Sequence, residues 1–405
     1  MAQGTPSWLN IDFIQRILRI AEDDSTIQVV DFFTKAATSK GDNYTSDMVR
    51  VAIEYTRKQG DKEVSGKRTL LFKFEPMEEG PKKDLIQKSN IFDTEIYMMT
   101  DAIKKMSKML GSRLSARVYH VRMERPLCLI MEDLAPLGFR MADRQAGLDL
   151  THSKLAIQGL AKFHASSVAL CEKEPRHKQV YNKGLFHGQN PEEMKHFFSA
   201  ACMGLGLEIE KWPELDKSYS EKIKKLSKTI YSKGVESVKC KDDEFNVINH
   251  GDFWVNNMLF RYDENNKPIE HVFVDFQLSY YSSPVLDLQY FLTSSLNEKV
   301  REENIQTLLD EYLNTLTATM KQLGCKTSPP TMKDLEKSFE ERAMCELITL
   351  MTIFPVIVVD KAEVQDIDEM LTKNGIVNNP GFKHPLFRKV VAKQLPIYMN
   401  RGLLD

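Results

Sequence analysis

The densest cluster of chemically capable side chains in the sequence is His250-Gly251-Asp252-Phe253-Trp254-Val255-Asn256-Asn257. It is followed at 271–277 by His271-Val272-Phe273-Val274-Asp275-Phe276-Gln277. A short run, Phe245 to Ile248, leads into the first segment and an apolar run leads into Asp275. Two short strands are therefore expected to deliver polar groups from their ends, which makes a rigid platform. This is the equipment that phosphoryl transfer asks for. The transferred group carries spread negative charge, so a protein supplies positioning and metal ions more than covalent chemistry. Mg²⁺ keeps several waters and takes one or two carboxylates together with phosphate oxygens. A separate Asp must reach the acceptor hydroxyl to orient it and take its proton. The spacing supports that division: Asp252 and Asn257 lie five residues apart within one loop, and Asp275 arrives from the next hairpin. An Asp after Gly alone is a turn residue, and Val-Asp-Phe alone is a strand end; the combination points to function.

The elements that must position these groups follow from hydrophobic period. Residues 8–22 place Leu9, Phe13, Ile14, Ile17 and Leu18 at three-and-four spacing, an amphipathic helix. Segments 26–34, 47–57 and 67–75 are rich in Val, Ile, Thr and Phe. The turn-like stretches between them, Ser39 to Asn43 and Gln59 to Lys62, predict an antiparallel meander. After a polar break at 78–81, a helix is expected from about Lys83 to Leu110, then strands at 115–124 and 127–132. Helical periodicity follows at 151–171, 191–203, 217–236, 284–296, 299–323 and 331–354, interrupted by a strand-rich patch from Phe245 to Phe276. Five strands and a helix, a connector near 133–138 and a helical body predict an α+β, bilobal protein. The expected lobes are residues 1–134 and 135–405.

His250-x-Asp252 with Asn257 and then Asp275 resembles the catalytic and metal-binding segments of the aminoglycoside and choline kinase-like superfamily. Within it, His-Gly-Asp-Phe-Trp-x-x-Asn with Val-Asp-Phe-Gln resembles the insect ecdysteroid kinase-like family, and the likeness runs from about residue 25 to the C-terminus. The resemblance implies a protein-kinase-like fold with a five-stranded antiparallel N-terminal lobe and a mainly helical C-terminal lobe. It implies Asp252 as catalytic base, Asn257 and Asp275 as metal ligands, His250 as a brace for the loop and Asp287 as a structural residue. Gln277 stands where protein kinases have Gly.

The same resemblance places the nucleotide in the first lobe. Lys73, on the third strand, stands where a kinase holds the α- and β-phosphates, and Glu95 on the following helix is its expected ion-pair partner. A strand lysine alternating with apolar residues is otherwise a solvated-face residue, and Glu95 alone an exposed helix residue. Asn43 and Tyr44, between the first two strands, resemble the family's phosphate-covering loop, and polar donors at a hairpin tip suit phosphate oxygens. Met131-Glu132-Asp133-Leu134 resembles the hinge, with Glu132 and Leu134 at the adenine edge. The Gly60 to Arg68 stretch is a P-loop decoy: five residues separate its glycines, Arg68 replaces Ser/Thr, and it lies between strands. His164, on an apolar helix face, is expected to be a satisfied core histidine.

Composition narrows the class. Over 405 residues, 55 Lys+Arg against 57 Asp+Glu leave a net charge of -2, which argues against nucleic acid as a partner. The six cysteines are scattered without a Cys-x-x-Cys pair, consistent with reduced thiols. The run Leu347 to Val359, interrupted by Thr352 and Pro355, is too short to cross a bilayer, so no membrane insertion is expected. The chain opens without a basic, apolar leader. The expectation is a cytoplasmic, monomeric enzyme that uses ATP and Mg²⁺ on a small-molecule alcohol. That alcohol is an ecdysteroid or another apolar dietary or xenobiotic compound, which would make the role hormone inactivation or detoxification. A choline- or aminoglycoside-like substrate, or a catalytically dead relative that sequesters a hydrophobic ligand, are the alternatives.

Overall fold

The computed structural model describes residues 6–38, 45–365 and 376–405. Asn10 opens the first helix by accepting from the Phe13 amide at 3.0 Å. Helix α1 (Ile11–Glu22) then turns Phe13, Ile14, Ile17 and Leu18 inward. Strands β1 (Gln28–Ala36), β2 (Asp47–Gln59) and β3 (Lys62–Phe74) follow as a meander. Gln59 pairs with Lys62 across a two-residue turn, in which Gly60 has φ +62°, a region that favours glycine. The P-loop-like stretch is thus the turn and start of β3. Its Gly66 lies opposite Tyr55, whose ring would be 2.6 Å from an added Cβ.

The helix expected over 83–110 is broken. It forms α2 (Pro81–Ser89) and α3 (Ile91–Tyr97), a π-turn at Met98–Ala102, and α4 (Ile103–Leu110). Asn90, at φ +54°, ends α2 and starts α3. Strands β4 (Val118–Arg122) and β5 (Cys128–Glu132) complete one antiparallel sheet in the order β1-β2-β3-β5-β4. Alternation puts Val51, Ile53, Leu70, Phe72, Phe74 and Ile130 on the face covered by α1. It leaves Leu71 and Lys73 of β3 facing the opposite cleft.

A 3₁₀ turn at Ala135–Leu137, closed by Gly138 at φ +86°, forms the connector to β6 (Phe139–Arg140). Helix α5 (Leu150–Lys173), capped by Asp149, is the spine of the second lobe. Around it and behind it come α6 (His177–Val180), α7 (Glu192–Ile209), α8 (Lys217–Leu226) and α9 (Ile230–Ser237). The strand patch resolves into β7 (Val247–Asn249), β8 (Met258–Tyr262), β9 (Pro268–Phe273) and β10 (Tyr280–Ser282). These pair as β10-β7 and β6-β8-β9. Helices α10 (Val285–Ser294), α11 (Glu298–Glu303), α12 (Ile305–Leu323) and α13 (Met332–Glu341) follow. The remainder is α14 (Ala343–Ile348), a π-turn at Thr349–Ile353, α15 (Phe354–Val358) and α16 (Pro385–Asn400).

The α+β class with a five-stranded antiparallel sheet and a helical C-terminal part is therefore observed. The single helices expected over 217–236, 299–323 and 331–354 are each split. Helix α16 is not among the elements that the sequence predicts, although Phe387, Val391, Leu395 and Tyr398 are buried at helical spacing. Pro385 and Pro396 disguise it: one opens the helix where no amide is needed, and the other lies inside it. The second lobe has two cores. One surrounds α5, β7–β9, α10 and α12; the other joins α7, α8, α14 and α16. Among the described residues no helix is long and apolar enough to cross a membrane.

Candidate active site

The loop after β7 is held by the carboxylate of Asp287, on the first turn of α10. Asp287 accepts from the backbone amides of His250 at 2.6 Å and Gly251 at 2.9 Å. Its Oδ2 also meets His164 Nε2 at 3.1 Å, and His164 Nδ1 meets the Tyr312 hydroxyl at 2.8 Å. His164 is a fully buried, satisfied core histidine, and it orients the carboxylate that shapes the loop. Gly251 has φ +84°, and a Cβ there would stand 1.9 Å from the Leu278 carbonyl oxygen, so this position admits only glycine.

His250 ties the two functional segments together. Its Nε2 lies 3.0 Å from the Val274 carbonyl, and its Nδ1 accepts from the Asp252 amide at 3.3 Å. That pattern needs one protonated nitrogen, and burial favours the neutral ring by lowering its pKa. The bracing function expected from sequence matches this geometry. Asn257 folds back within the loop, its Nδ2 donating to the Asp252 carbonyl at 2.9 Å and to Asp252 Oδ2 at 2.8 Å. The five-residue spacing thus closes a tight loop. Burial is the largest influence on the Asp252 carboxyl and pushes it up to about 7; Tyr290, Asn257 and Trp254 beside it pull the other way.

Buried Lys73 and Glu95 meet the partly exposed Asp275 in a triad. The Lys73 ammonium lies 2.7 Å from Glu95 Oε2 and 2.9 Å from Asp275 Oδ1. Desolvation works against the ammonium, yet the two carboxylates outweigh it and raise its pKa. Burial raises the Glu95 carboxyl, with Lys73 opposing. Asp275 sits at φ +66°, unusual for a residue with a side chain. The triad opens on a cavity of about 310 Å³ between the lobes, lined also by Met99, Met131, Leu134 and Asn257. Asp133, just after β5, is fixed by Arg50, whose Nε and Nη2 lie 2.7 and 3.2 Å from its carboxylate oxygens. Glu132 lines the same cavity, but its carboxylate pairs with Arg113 at 2.5 Å.

Asp252 lies on a second pocket of about 200 Å³, with a largely apolar lining that includes Ile86, Ile91, Phe197, Phe198, Trp254 and Ile357. Of the aromatic residues near the loop, Trp254 and Tyr290 line this pocket. Phe253 is fully buried in the core against Phe273 and Phe291, and Tyr280 lines a separate small cavity beside Gly251.

The structure thus gathers Lys73, Glu95, Asn257, Asp275, Glu132 and Leu134 at one cleft, with Asp252 joined to it through Asn257. Asn43 and Tyr44 lie outside the described residues. Next to them, Thr45 donates to Gln277 Oε1 at 2.5 Å, linking the loop between β1 and β2 to the segment after Asp275. Arg50 and the pocket walls from α2, α3 and α7 went unread in the sequence. An Arg alternating in a strand, or apolar residues on a helix, carry no mark of their destination.

The sequence profile of the ecdysteroid kinase-like family matches residues 40–325. No curated protein matches the chain. Among solved structures, it is similar to a choline kinase from Cryptosporidium parvum Iowa II, at 14% identity and TM-score 0.49, covering 98% of this chain and 100% of that one. It is also similar to a Plasmodium vivax ethanolamine kinase, at 12% identity and TM-score 0.41, covering 91% and 84%. A third is the amicoumacin kinase hAmiN in complex with AMP-PNP, Ca²⁺ and Ami, at 14% identity and TM-score 0.42, covering 85% and 86%.

Proposed function

Because the chain belongs to the ecdysteroid kinase-like family, we propose that it is an ATP-dependent phosphotransferase acting on a hydroxyl of an apolar small molecule. An ecdysteroid or another dietary or xenobiotic alcohol is the substrate class that this reading favours. The observation that carries it is the juxtaposition of two spaces: the Lys73–Glu95–Asp275 triad faces the inter-lobe cleft, and Asp252 faces an apolar pocket. In this reading the lobes divide at 134/135. Lys73 holds the α- and β-phosphates and is kept in place by Glu95. The backbone around Glu132 and Leu134 meets the adenine edge, and Asn43 and Tyr44 cover the phosphates.

The oxygen donors of Asp275 and Asn257 fit a hard divalent cation such as Mg²⁺. When bound, such an ion would offset the charge of the phosphates. Asp252 takes the acceptor proton. Its carboxyl, raised to about 7, lies near the operating pH, where a general base is most effective. Apolar walls exclude water from the reacting hydroxyl and select the acceptor. Asp252 is the one carboxylate among the residues lining that pocket. A cationic substrate such as choline needs acidic or aromatic compensation, and Phe197, Phe198, Trp254 and Tyr290 line the pocket. The preference for a neutral acceptor rests instead on the aliphatic walls of Leu85, Ile86, Ile91 and Ile357.

The test is ATP consumption by the purified protein with Mg²⁺ against steroids, dietary alcohols, choline and aminoglycosides, with Asp252→Asn alongside. The reading expects turnover that depends on an apolar alcohol and falls at least about 100-fold in the variant, with ATP binding retained. Steroid binding without turnover by the wild-type protein would replace it with a sequestering role.

A further inference from the structure

Away from the cleft, three ligand-type side chains converge where the helix carrying Glu95 meets the second lobe. Asp101 lies in the π-turn that continues α3, Glu174 caps the C-terminus of α5, and His177 begins α6. His177 Nε2 lies 3.5 Å from Asp101 Oδ2 and 3.5 Å from Glu174 Oε2. The three donor atoms all fall within 4.8 Å of one another. His177 is only 2% exposed, its ring stacked on Tyr181 at 6.0 Å, and neither ring nitrogen has a hydrogen-bond partner. Burying an imidazole with both nitrogens unsatisfied is costly, and such an exception calls for an explanation.

The spacing supplies one. A 3.5 Å separation is long for a hydrogen bond. It is close to the edge of a tetrahedron around a metal with bonds of roughly 2.0–2.1 Å, which puts ligand atoms roughly 3.3–3.5 Å apart. Two positive groups already occupy the neighbourhood. Arg176 Nη2 lies 2.9 Å from Asp101 Oδ2 and 3.0 Å from Glu174 Oε2, the same two oxygens that face His177. Lys105 pairs with Asp101 Oδ1 and Glu174 Oε2, each at 2.7 Å. The Arg176 side chain is 62% exposed, so it can swing into water without stranding a buried charge.

We propose that His177, Asp101 and Glu174 form a binding site for a divalent transition-metal ion of the Zn²⁺ class, with Arg176 as the competing cation that fills it when metal is absent. One imidazole and two carboxylates suit Zn²⁺ or Co²⁺ and leave a fourth position for water. Mg²⁺, which prefers an all-oxygen octahedron, is disfavoured. The ion would tie Asp101, on the helical run that carries Glu95, to the end of α5. It would thereby fix the helix that places Glu95 against Lys73. Nothing in this site depends on the proposed phosphotransfer.

The experiment is a titration of metal-stripped protein with Co²⁺ and Zn²⁺, read by Co²⁺ visible absorption and by calorimetry. It is made in an Asp275→Asn background so that the inter-lobe cleft does not contribute. One tetrahedral Co²⁺ is expected, displaced by Zn²⁺. It is lost in His177→Gln and Asp101→Asn, and bound about tenfold more tightly in Arg176→Ala. The last variant separates a metal site from a mere ion-pair cluster, and circular dichroism checks that each variant is folded. Equal binding by the His177→Gln protein, weaker binding by Arg176→Ala, or no tetrahedral Co²⁺ spectrum would each overturn the assignment.

Discussion

Asp287 accepts the backbone amide of Gly251 at 2.9 Å, so a carboxylate on α10 sets the path of the loop that presents Asp252. The same carboxylate takes the His250 amide and faces His164, and it is 1% exposed. The loop is thus held from below by one side chain, whose own orientation is fixed by a buried histidine.

Replacing that carboxylate should unfold the site from its base. Asp287→Ala leaves two backbone amides and one imidazole nitrogen without their acceptor, at a cost of about 3 kcal/mol. A clear fall in the thermal unfolding midpoint is expected. An unchanged midpoint would mean that the loop is held by other contacts.

Lys73→Met should separate nucleotide handling from folding. It removes the ammonium between Glu95 and Asp275 and should lower kcat/KM for ATP by about 100-fold, the size of effect seen on removing one preorganised electrostatic donor. ATP kinetics matching the wild type would reduce Lys73 to a buried structural cation.

The pH dependence follows from the raised Asp252 carboxyl. The group must be ionised to accept a proton, so activity should rise with pH through about 7 and level off above it. Stability runs the other way. The folded pKa of about 7 exceeds the ordinary value of 3.8, so the stability linked to the bound proton is fully present below 3.8. It is lost as pH rises through about 7. Asp252→Asn should therefore gain more stability over wild type at pH 8 than at pH 5, by about 2 kcal/mol. Equal gains at both values would show that the carboxyl titrates normally.

A charge placed in the second pocket should act on the acceptor alone. Phe197→Lys puts an ammonium into the apolar lining beside Ile86 and Trp254. Burying an unpaired charge against an apolar substrate should lower kcat/KM for the alcohol by at least about tenfold while leaving KM for ATP unchanged. A parallel loss for ATP would place the pocket elsewhere in the reaction.

Local pattern determined much of this protein. The Val-, Ile-, Thr- and Phe-rich runs of 47–57 and 67–75 and the helical spacing of 8–22 reappear as β2, β3 and α1, because strand propensity and helix periodicity are properties of neighbouring residues. The loop from His250 to Asn257 was legible for the same reason: its chemistry and its spacing lie within one stretch of chain. Where the sequence predicts single helices, the structure has breaks at Asn90 and Arg342 and π-turns at Met98–Ala102 and Thr349–Ile353. Those depend on what each helix packs against. Only the tertiary structure brought Lys73 to Asp275, fixed Asp133 with Arg50, and assembled the apolar pocket from α2, α3, α7 and the segment around Ile357. A phenylalanine bound for a pocket and one bound for a core leave the same periodic trace. The difference is whether another wall faces it, and that is decided only when distant elements pack together.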